Sequence, residues 1–234
     1  MAGMTATPIV ALDVPCAGDA LALVRLLGEG CRFYKVGSEL FTSEGPSIVK
    51  AVRAEGCEVF LDLKFHDIPN TVREAARAAA SLGVRLLTVH ASGGAEMVRA
   101  AVEGAGAGCG VLGVTVLTSL DSAALGSAWG RDELRVDDEV LRLAGLAAAA
   151  GAHGVVCSGR EAAQLHAAFG AGLALLIPGI RLAGGDAHDQ ARTSTPAAAA
   201  AAGARYLILG RAVTGAPDPA AAMRRVNREL GLIT

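Results

Sequence analysis

Aromatic side chains are scarce in this chain, with five Phe, two Tyr and one Trp among 234 residues. A core must therefore be built from Ala, Val, Leu and Ile, and 52% hydrophobic residues supply enough of it. The many alanines favour helix between the β-branched runs. Neither sign of charge is in excess: 21 Lys and Arg face 23 Asp and Glu, for a net charge of -2. Without a basic stripe or interleaved aromatics, nucleic acid is not an expected partner, because phosphate contacts need clustered Lys and Arg. Long apolar runs are missing too. Stretches such as 171–177 and 196–204 are too short to cross a bilayer, so no membrane association is expected. The opening residues Met1-Ala2-Gly3-Met4-Thr5 have neither the basic nor the apolar segment of a signal peptide. The five cysteines (16, 31, 57, 109 and 157) form no CxxC and are expected to be reduced thiols in a cytoplasmic protein. No GxxxxGK[ST], HExxH or GxSxG occurs, which removes the enzyme classes built on those motifs.

What the chain does have is alternation. Short aliphatic runs begin at Ile9, Phe33, Val59, Leu86, Gly110, Gly154, Ala174 and Tyr206. Helical stretches follow them over 18–28, 45–55, 68–82, 94–103, 136–150, 160–169, 196–202 and 219–230. Eight β-then-α units imply a parallel sheet with right-handed crossovers. In this length they fit an α/β fold closed as a (β/α)8 TIM barrel, a single domain over residues 1–234. Two connections are long. The one at 119–135 reads as a surface loop. The one at 179–195, with Gly184-Gly185 and several polar residues, reads as a binding loop or lid.

Polar residues collect where the predicted strands end. The first strand runs into Asp13 and the second carries Lys35. The third carries Asp62 and Lys64, the fourth ends in His90, and the fifth leads to Thr115 and Thr118. The seventh runs into Pro178-Gly179-Ile180-Arg181 and the eighth into Gly210-Arg211. A barrel brings such ends to one mouth. The densest segment is Asp62-Leu63-Lys64-Phe65-His66-Asp67-Ile68-Pro69-Asn70-Thr71. Strand alternation points Asp62 and Lys64 one way and Leu61, Leu63 and Phe65 the other. Asp67 follows, where Ile68-Pro69-Asn70 ends the strand and starts a helix. Gly210-Arg211, with Arg181 and Gln190 on the preceding loop, has the residues of a phosphate site: backbone N–H groups at a helix start and guanidinium forks.

His66 and His90 beside Asp62 and Asp67 invite a metal. Lys35 and Lys64 oppose one, since at ~4 Å and an effective dielectric of about 20 each ammonium repels a cation by several kcal/mol. No metal is expected, and the two histidines are expected to pack or hydrogen-bond beside the site. His153, His166 and His188 are assigned to structure or surface.

The segment DLKFHDIPNT at 62–71 resembles the signature of the orotidine 5'-phosphate decarboxylase family, and the likeness runs the whole length. Ala11-Leu12-Asp13, Tyr34-Lys35-Val36-Gly37, Val89-His90-Ala91-Ser92-Gly93-Gly94 and Val114-Thr115-Val116-Leu117-Thr118-Ser119 resemble the family's segments at strands one, two, four and five. Pro178-Gly179-Ile180-Arg181, Asp189-Gln190-Ala191-Arg192 with Thr195-Pro196, and Gly210-Arg211 resemble its phosphate-holding parts. The run Ala191-Arg192-Thr193-Ser194 departs from it, being smaller and more polar. The resemblance implies a homodimer of barrels with shared active sites, no cofactor, and orotidine 5'-phosphate and UMP as nucleotide ligands. It implies that Lys64 protonates the carbanion left by CO2, that Asp62 sits against the scissile carboxylate, and that Lys35 and Asp13 hold the ribose hydroxyls. Asp67 and Thr71 would reach into the partner's site. Thr118 or Ser119 would contact the pyrimidine, and Arg181, Gln190, Gly210 and Arg211, beside Pro178, the phosphate. Two other readings stand beside it. Keto-gulonate phosphate decarboxylases and hexulose phosphate synthases share a DxKxxD segment but hold Mg2+ with an acidic residue near the end of strand two, where this chain has Lys35. A nucleotide-binding barrel without turnover is disfavoured by the intact Asp62, Lys64 and Asp67.

Overall fold

The computed structural model describes residues 6–182 and 194–233. Its strands are β1 Thr7–Ala11, β2 Phe33–Gly37, β3 Glu58–Phe65, β4 Leu86–His90, β5 Gly110–Val114, β6 Gly154–Val156, β7 Ala174–Ile177 and β8 Ala204–Leu209. They pair in parallel in sequence order. Val10 lies against Tyr34 across β1–β2, and Thr7 lies against Tyr206 across β1–β8, which closes the barrel. The helices among the described residues are α1 Ala17–Leu27, α2 Ser38–Glu44, α3 Pro46–Ala54, α4 Pro69–Ser81, α5 Ala95–Ala105, α6 Ser122–Trp129, α7 Val136–Ala149, α8 Ala162–Phe169, α9 Pro196–Ala201, α10 Arg211–Thr214 and α11 Pro219–Glu229. The eight expected strands and the eight expected helices are all present, as a (β/α)8 barrel.

Local chemistry fixes the helix starts. α3, α4, α9 and α11 each begin with proline, whose missing N–H would have had no intrahelical partner. Asp121, Thr195 and Asp218 cap α6, α9 and α11, accepting from the N–H groups of Ala124 at 2.8 Å, Ala198 at 3.2 Å and Ala221 at 2.8 Å. Such caps satisfy donors that the first helical turn leaves open.

Alternation along the strands separates two apolar shells. Ile9, Ala11, Phe33, Phe60, Leu86, Leu112, Leu176, Tyr206 and Ile208 fill the barrel interior. Their neighbours in sequence, including Val10, Tyr34, Leu61, Leu87 and Leu207, pack outward under the helices with Val24, Val49, Ala76, Val98, Leu143 and Val226. The interior layer is the floor on which any site at the carboxyl mouth must stand.

Three details differ from the sequence expectation or extend it. The 119–135 connection is not a bare loop, because it contains α6. Its signals, Asp121 as N-cap and Gly130 at φ +61°, lay inside a stretch that otherwise looked polar and generic. A short helix, α2, precedes α3, and Gly45 at φ +63° divides them. Gly108-Cys109-Gly110-Val111-Leu112-Gly113 spells GxGxxG, but it leads into β5 instead of leaving a strand for a helix, so it lacks the context of a dinucleotide loop. Gln190, Gly184, Gly185, His188 and most of the 179–195 connection lie outside the described residues. Its two ends meet at the mouth, where Arg181 N donates to Ser194 O at 2.9 Å. No helix among the described residues is long and apolar enough to cross a membrane. The five cysteines form no disulfide.

Candidate active site

The carboxyl ends of β1, β2 and β3 deliver a chain of alternating charge. Lys35 Nζ is 2.7 Å from Asp13 Oδ1 and 3.9 Å from Asp62 Oδ2, and that same Oδ2 is 2.9 Å from Lys64 Nζ. Lys35 and Asp62 are nearly buried, with side chains 11% and 13% exposed, whereas Asp13 and Lys64 open toward solvent. Such partial burial strengthens the attraction between the ions relative to a surface pair, provided each charge keeps a partner. Gly37 makes the Lys35–Asp13 approach possible. A Cβ there would lie 3.0 Å from Lys35 Nζ and 3.3 Å from Asp13 Oδ1.

Asp62 and Lys64 do meet on one face, but plain strand alternation is not what brings them together. Leu61 lies opposite Leu87 and Phe65 opposite Val89, so Asp62, Leu63 and Lys64 on β3 face Thr88 alone on β4. The strand bulges at this point, and Lys64 takes φ +52°. A left-handed backbone in a residue with a Cβ costs about 1–3 kcal/mol and persists only where the surroundings hold it. Thr88, 1% exposed, occupies the gap. Its hydroxyl accepts from Lys64 N at 2.9 Å and donates to Asp62 Oδ1 at 2.9 Å.

These groups line a cavity of about 310 Å³. Ala11, Phe60, Val114, Val156, Leu176 and Ile208 make its apolar floor, Asp13, Lys35, Asp62 and Lys64 one part of its wall, and Thr118, Pro178, Arg181, Gly210 and Arg211 another. Arg181 and Arg211 thus reach the same space as the lysine pair from β7 and β8. An apolar floor with charged groups in the wall around it suits a polar ring carrying an anionic tail.

The structure does not gather every residue expected at the site. Ser119 lies in a neighbouring depression with Asp121, Arg135 and Arg160, and does not line the cavity. Asp67 and Thr71 are exposed and stand outside the cavity of their own chain. Asp67 accepts from Ile68 N at 2.6 Å, and the Ile68 side chain is 67% exposed beside it. Gln190 lies outside the described residues. His66 and His90 pack beside the site as expected, with ring centroids 5.4 Å apart. Burial, then His66 and the Lys64 ammonium, push the His90 imidazole below its ordinary range, against a weaker upward pull from Asp62.

The family model for orotidine 5'-phosphate decarboxylase / HUMPS matches residues 7–226. The chain belongs to this family. An orotidine 5'-phosphate decarboxylase of Anaeromyxobacter sp. (strain K) is 54% identical over 218 residues, covering 92% of this chain and 94% of the relative. One of Halorhodospira halophila is 51% identical over 225 residues, covering 95% and 94%. The crystal structure of orotidine 5'-phosphate decarboxylase from Lactobacillus acidophilus superposes with a TM-score of 0.85 at 36% identity, over 96% of this chain and 99% of that one. Within the family's barrel, two features of this site were not evident from the sequence. One is Thr88, whose only trace was a hydroxyl in the apolar strand Leu86-Leu87-Thr88-Val89. The other is the bulge, for which β3 has neither glycine nor proline to mark it.

Proposed function

We propose that this chain decarboxylates orotidine 5'-phosphate to UMP and CO2 in de novo pyrimidine biosynthesis, with Lys64 as the proton donor. The observation that carries the proposal is the joining, in one cavity, of the Asp13–Lys35–Asp62–Lys64 charge chain with Arg181 and Arg211. Breaking the bond from C6 to the carboxylate leaves the electron pair in the plane of the pyrimidine ring, where the π system does not absorb it. The negative charge is then stabilised by a positive group fixed beforehand at C6. Lys64 is that group. It gives a proton to C6 as CO2 leaves, and water restores the ammonium. Asp62 aims Lys64 and faces the substrate carboxylate, so that loss of CO2 relieves a repulsion between two anions. Lys35 and Asp13 hold the ribose hydroxyls and Thr118 contacts the ring. Arg181, Gly210 and Arg211, with Gln190 from the connection above, grip the phosphate, and Pro178 shapes the turn that carries Arg181. Binding energy gained on the phosphate, remote from the reacting bond, is used to hold the charged site closed around C6.

The eight units work as one catalytic domain, a cytoplasmic enzyme without a cofactor. It acts as a homodimer. Asp67 and Thr71, standing outside their own cavity next to the exposed Ile68, complete the site of the partner. The Mg2+-dependent barrels of the same family are the nearest other chemistry. Lys35 and Lys64 lie 3.9 Å and 2.9 Å from Asp62, so that the carboxylate is already matched with cations. Full turnover in a chelator is expected, and its loss would move the assignment to those enzymes. The decisive assay is the loss of orotidine 5'-phosphate absorbance with wild type and with Lys64→Ala. Turnover by wild type and none by the variant is expected. Turnover that survives Lys64→Ala removes the proton-donor role.

A further inference from the structure

Asp62 and Lys64 owe their geometry to an atom outside the cavity. The Thr88 hydroxyl has one donor and two acceptor positions, and two of the three are in use at this point. It accepts from the backbone N–H of Lys64 and gives its proton to Asp62 Oδ1, both at 2.9 Å. Asp62 Oδ2 is thereby left to Lys64 Nζ at 2.9 Å and Lys35 Nζ at 3.9 Å. A single oxygen thus fixes the backbone beneath the ammonium and the rotation of the carboxylate that aims it. We propose that Thr88 is a positioning residue for the decarboxylation, holding Lys64 and Asp62 in register although it does not line the cavity. The inference rests on the decarboxylase function assigned to this site.

Three observations support it. Thr88 is 1% exposed, so water does not substitute for its hydroxyl. The bulge sets three residues of β3 against Thr88 alone, and the Lys64 N–H lies where regular ladder pairing is interrupted, so a side chain has to receive it. Lys64 at φ +52° has a conformation it would leave without an external hold. A threonine suits the task because its branched Cβ restricts the hydroxyl to few directions. Valine in its place would have the same shape and leave the partly buried Lys64 N–H without this acceptor. Asp62 Oδ1 would lose its donor, and the carboxylate would turn to satisfy both oxygens on the lysines.

The test compares Thr88→Val and Thr88→Ser with wild type for kcat, KM and UMP affinity. A displacement of about 1 Å at a reacting group lowers rate on the order of 100-fold, so kcat of Thr88→Val should fall roughly 10- to 100-fold. UMP affinity should stay within about threefold, because UMP carries no carboxylate at C6 to meet Asp62 and the groups assigned to its phosphate keep their places, and Thr88→Ser should recover kcat to within about threefold of wild type. Wild-type kcat in Thr88→Val, or a loss in kcat matched by an equal loss in UMP affinity, or a serine variant as slow as the valine one, overturns the proposal. If the valine variant does not fold, Thr88→Cys replaces it. The thiol fills the same space with a far weaker hydrogen-bonding group, and a cysteine variant as fast as the serine one again overturns the proposal. Amide hydrogen exchange of Lys64 reads the same contact without turnover. Faster exchange in Thr88→Val supports the inference, and unchanged exchange overturns it. Absence of turnover in the wild type would instead remove the assigned reaction and leave the exchange result standing.

Discussion

Lys64 and Asp62 stand 2.9 Å apart across a backbone turned to φ +52° at the lysine. The ion pair and the left-handed backbone are two sides of one arrangement. The bulge at Asp62-Leu63-Lys64 brings the ammonium back over the carboxylate while Leu63 and Phe65 still pack outward under the helices. Replacing Lys64 therefore has two separable effects. Lys64→Ala and Lys64→Gly should both lose decarboxylation. Glycine enters the left-handed region without a Cβ clash, so Lys64→Gly should be more stable than Lys64→Ala by at least ~0.5 kcal/mol, despite the greater freedom of its unfolded chain. Urea unfolding of the two variants measures this. An alanine variant as stable as the glycine one would show that the strain there is no larger than the unfolded-chain entropy that glycine adds.

Gly37 offers a second probe, because its effect must pass through Lys35. Its own backbone, at φ -94°, admits any residue. A Cβ would meet Lys35 Nζ at 3.0 Å and Asp13 Oδ1 at 3.3 Å. Gly37→Ala should leave stability within about 1 kcal/mol of wild type. It should lower kcat/KM about tenfold or more by pushing the ammonium off its place between Asp13 and Asp62. A variant with wild-type kcat/KM would mean that the side chains give way freely.

The barrel was legible because each unit repeats the same signals. Aliphatic runs of three to six residues alternate with alanine-rich helices, and proline or a capping carboxylate marks several helix starts. Lys35, Asp62 and Lys64 were legible because charge at the end of a buried strand has few bland explanations. Thr88 was not, since a threonine in a strand is ordinary and its value comes from what bulges toward it from β3. The bulge itself depends on pairing with β4, and neither strand's sequence contains that pairing. α6 was missed for the opposite reason. Its capping signals are local, but the polar residues around them looked like loop. Ser119 was named for the ring only by the resemblance, as the alternative to Thr118, and of the two it is Thr118 that lines the cavity.

Arg211 tests the use of remote binding energy. It lines the cavity from the end of β8, which neighbours β1 in the barrel, and is not one of the four linked charges of the Asp13–Lys35–Asp62–Lys64 chain. Arg211→Ala should lower kcat/KM for orotidine 5'-phosphate by roughly 100-fold or more, as loss of a charge-assisted contact worth about 3 kcal/mol requires. On orotidine, which has no phosphate, the same substitution should change kcat/KM by less than about threefold. Equal losses on both substrates would show that Arg211 acts on the pyrimidine end or on folding.

His90 predicts a pH dependence of stability. Burial, His66 and the Lys64 ammonium lower its imidazole below the ordinary value, with Asp62 the one neighbour that favours the charged form. As pH falls through about 6.5, the unfolded chain takes up a proton that the folded chain still refuses. Stability should therefore decline between that value and the lower folded one, and His90 should add no slope above it. His90→Asn should flatten the decline, which thermal unfolding of both proteins between pH 8 and pH 5 would register. Parallel curves would assign the slope to other groups.

Asp67 and Thr71 make the dimer a catalytic question. Both are exposed and lie outside their own cavity, Asp67 on the turn that carries the exposed Ile68 from β3 into α4 and Thr71 in the first turn of α4. If they complete the partner's site, subunits disabled in different places should rescue each other. Lys64→Ala and Asp67→Ala homodimers should each be nearly inactive. In a two-fold dimer, unfolding and refolding an equal mixture should make half of the dimers mixed, each with one intact site of two, and so return about a quarter of wild-type activity. Rescue should appear only after subunits exchange, on the timescale of refolding and not of mixing. Activity that stays at the level of the parent variants, in a preparation shown to contain mixed dimers, would mean that each barrel builds its site from its own residues.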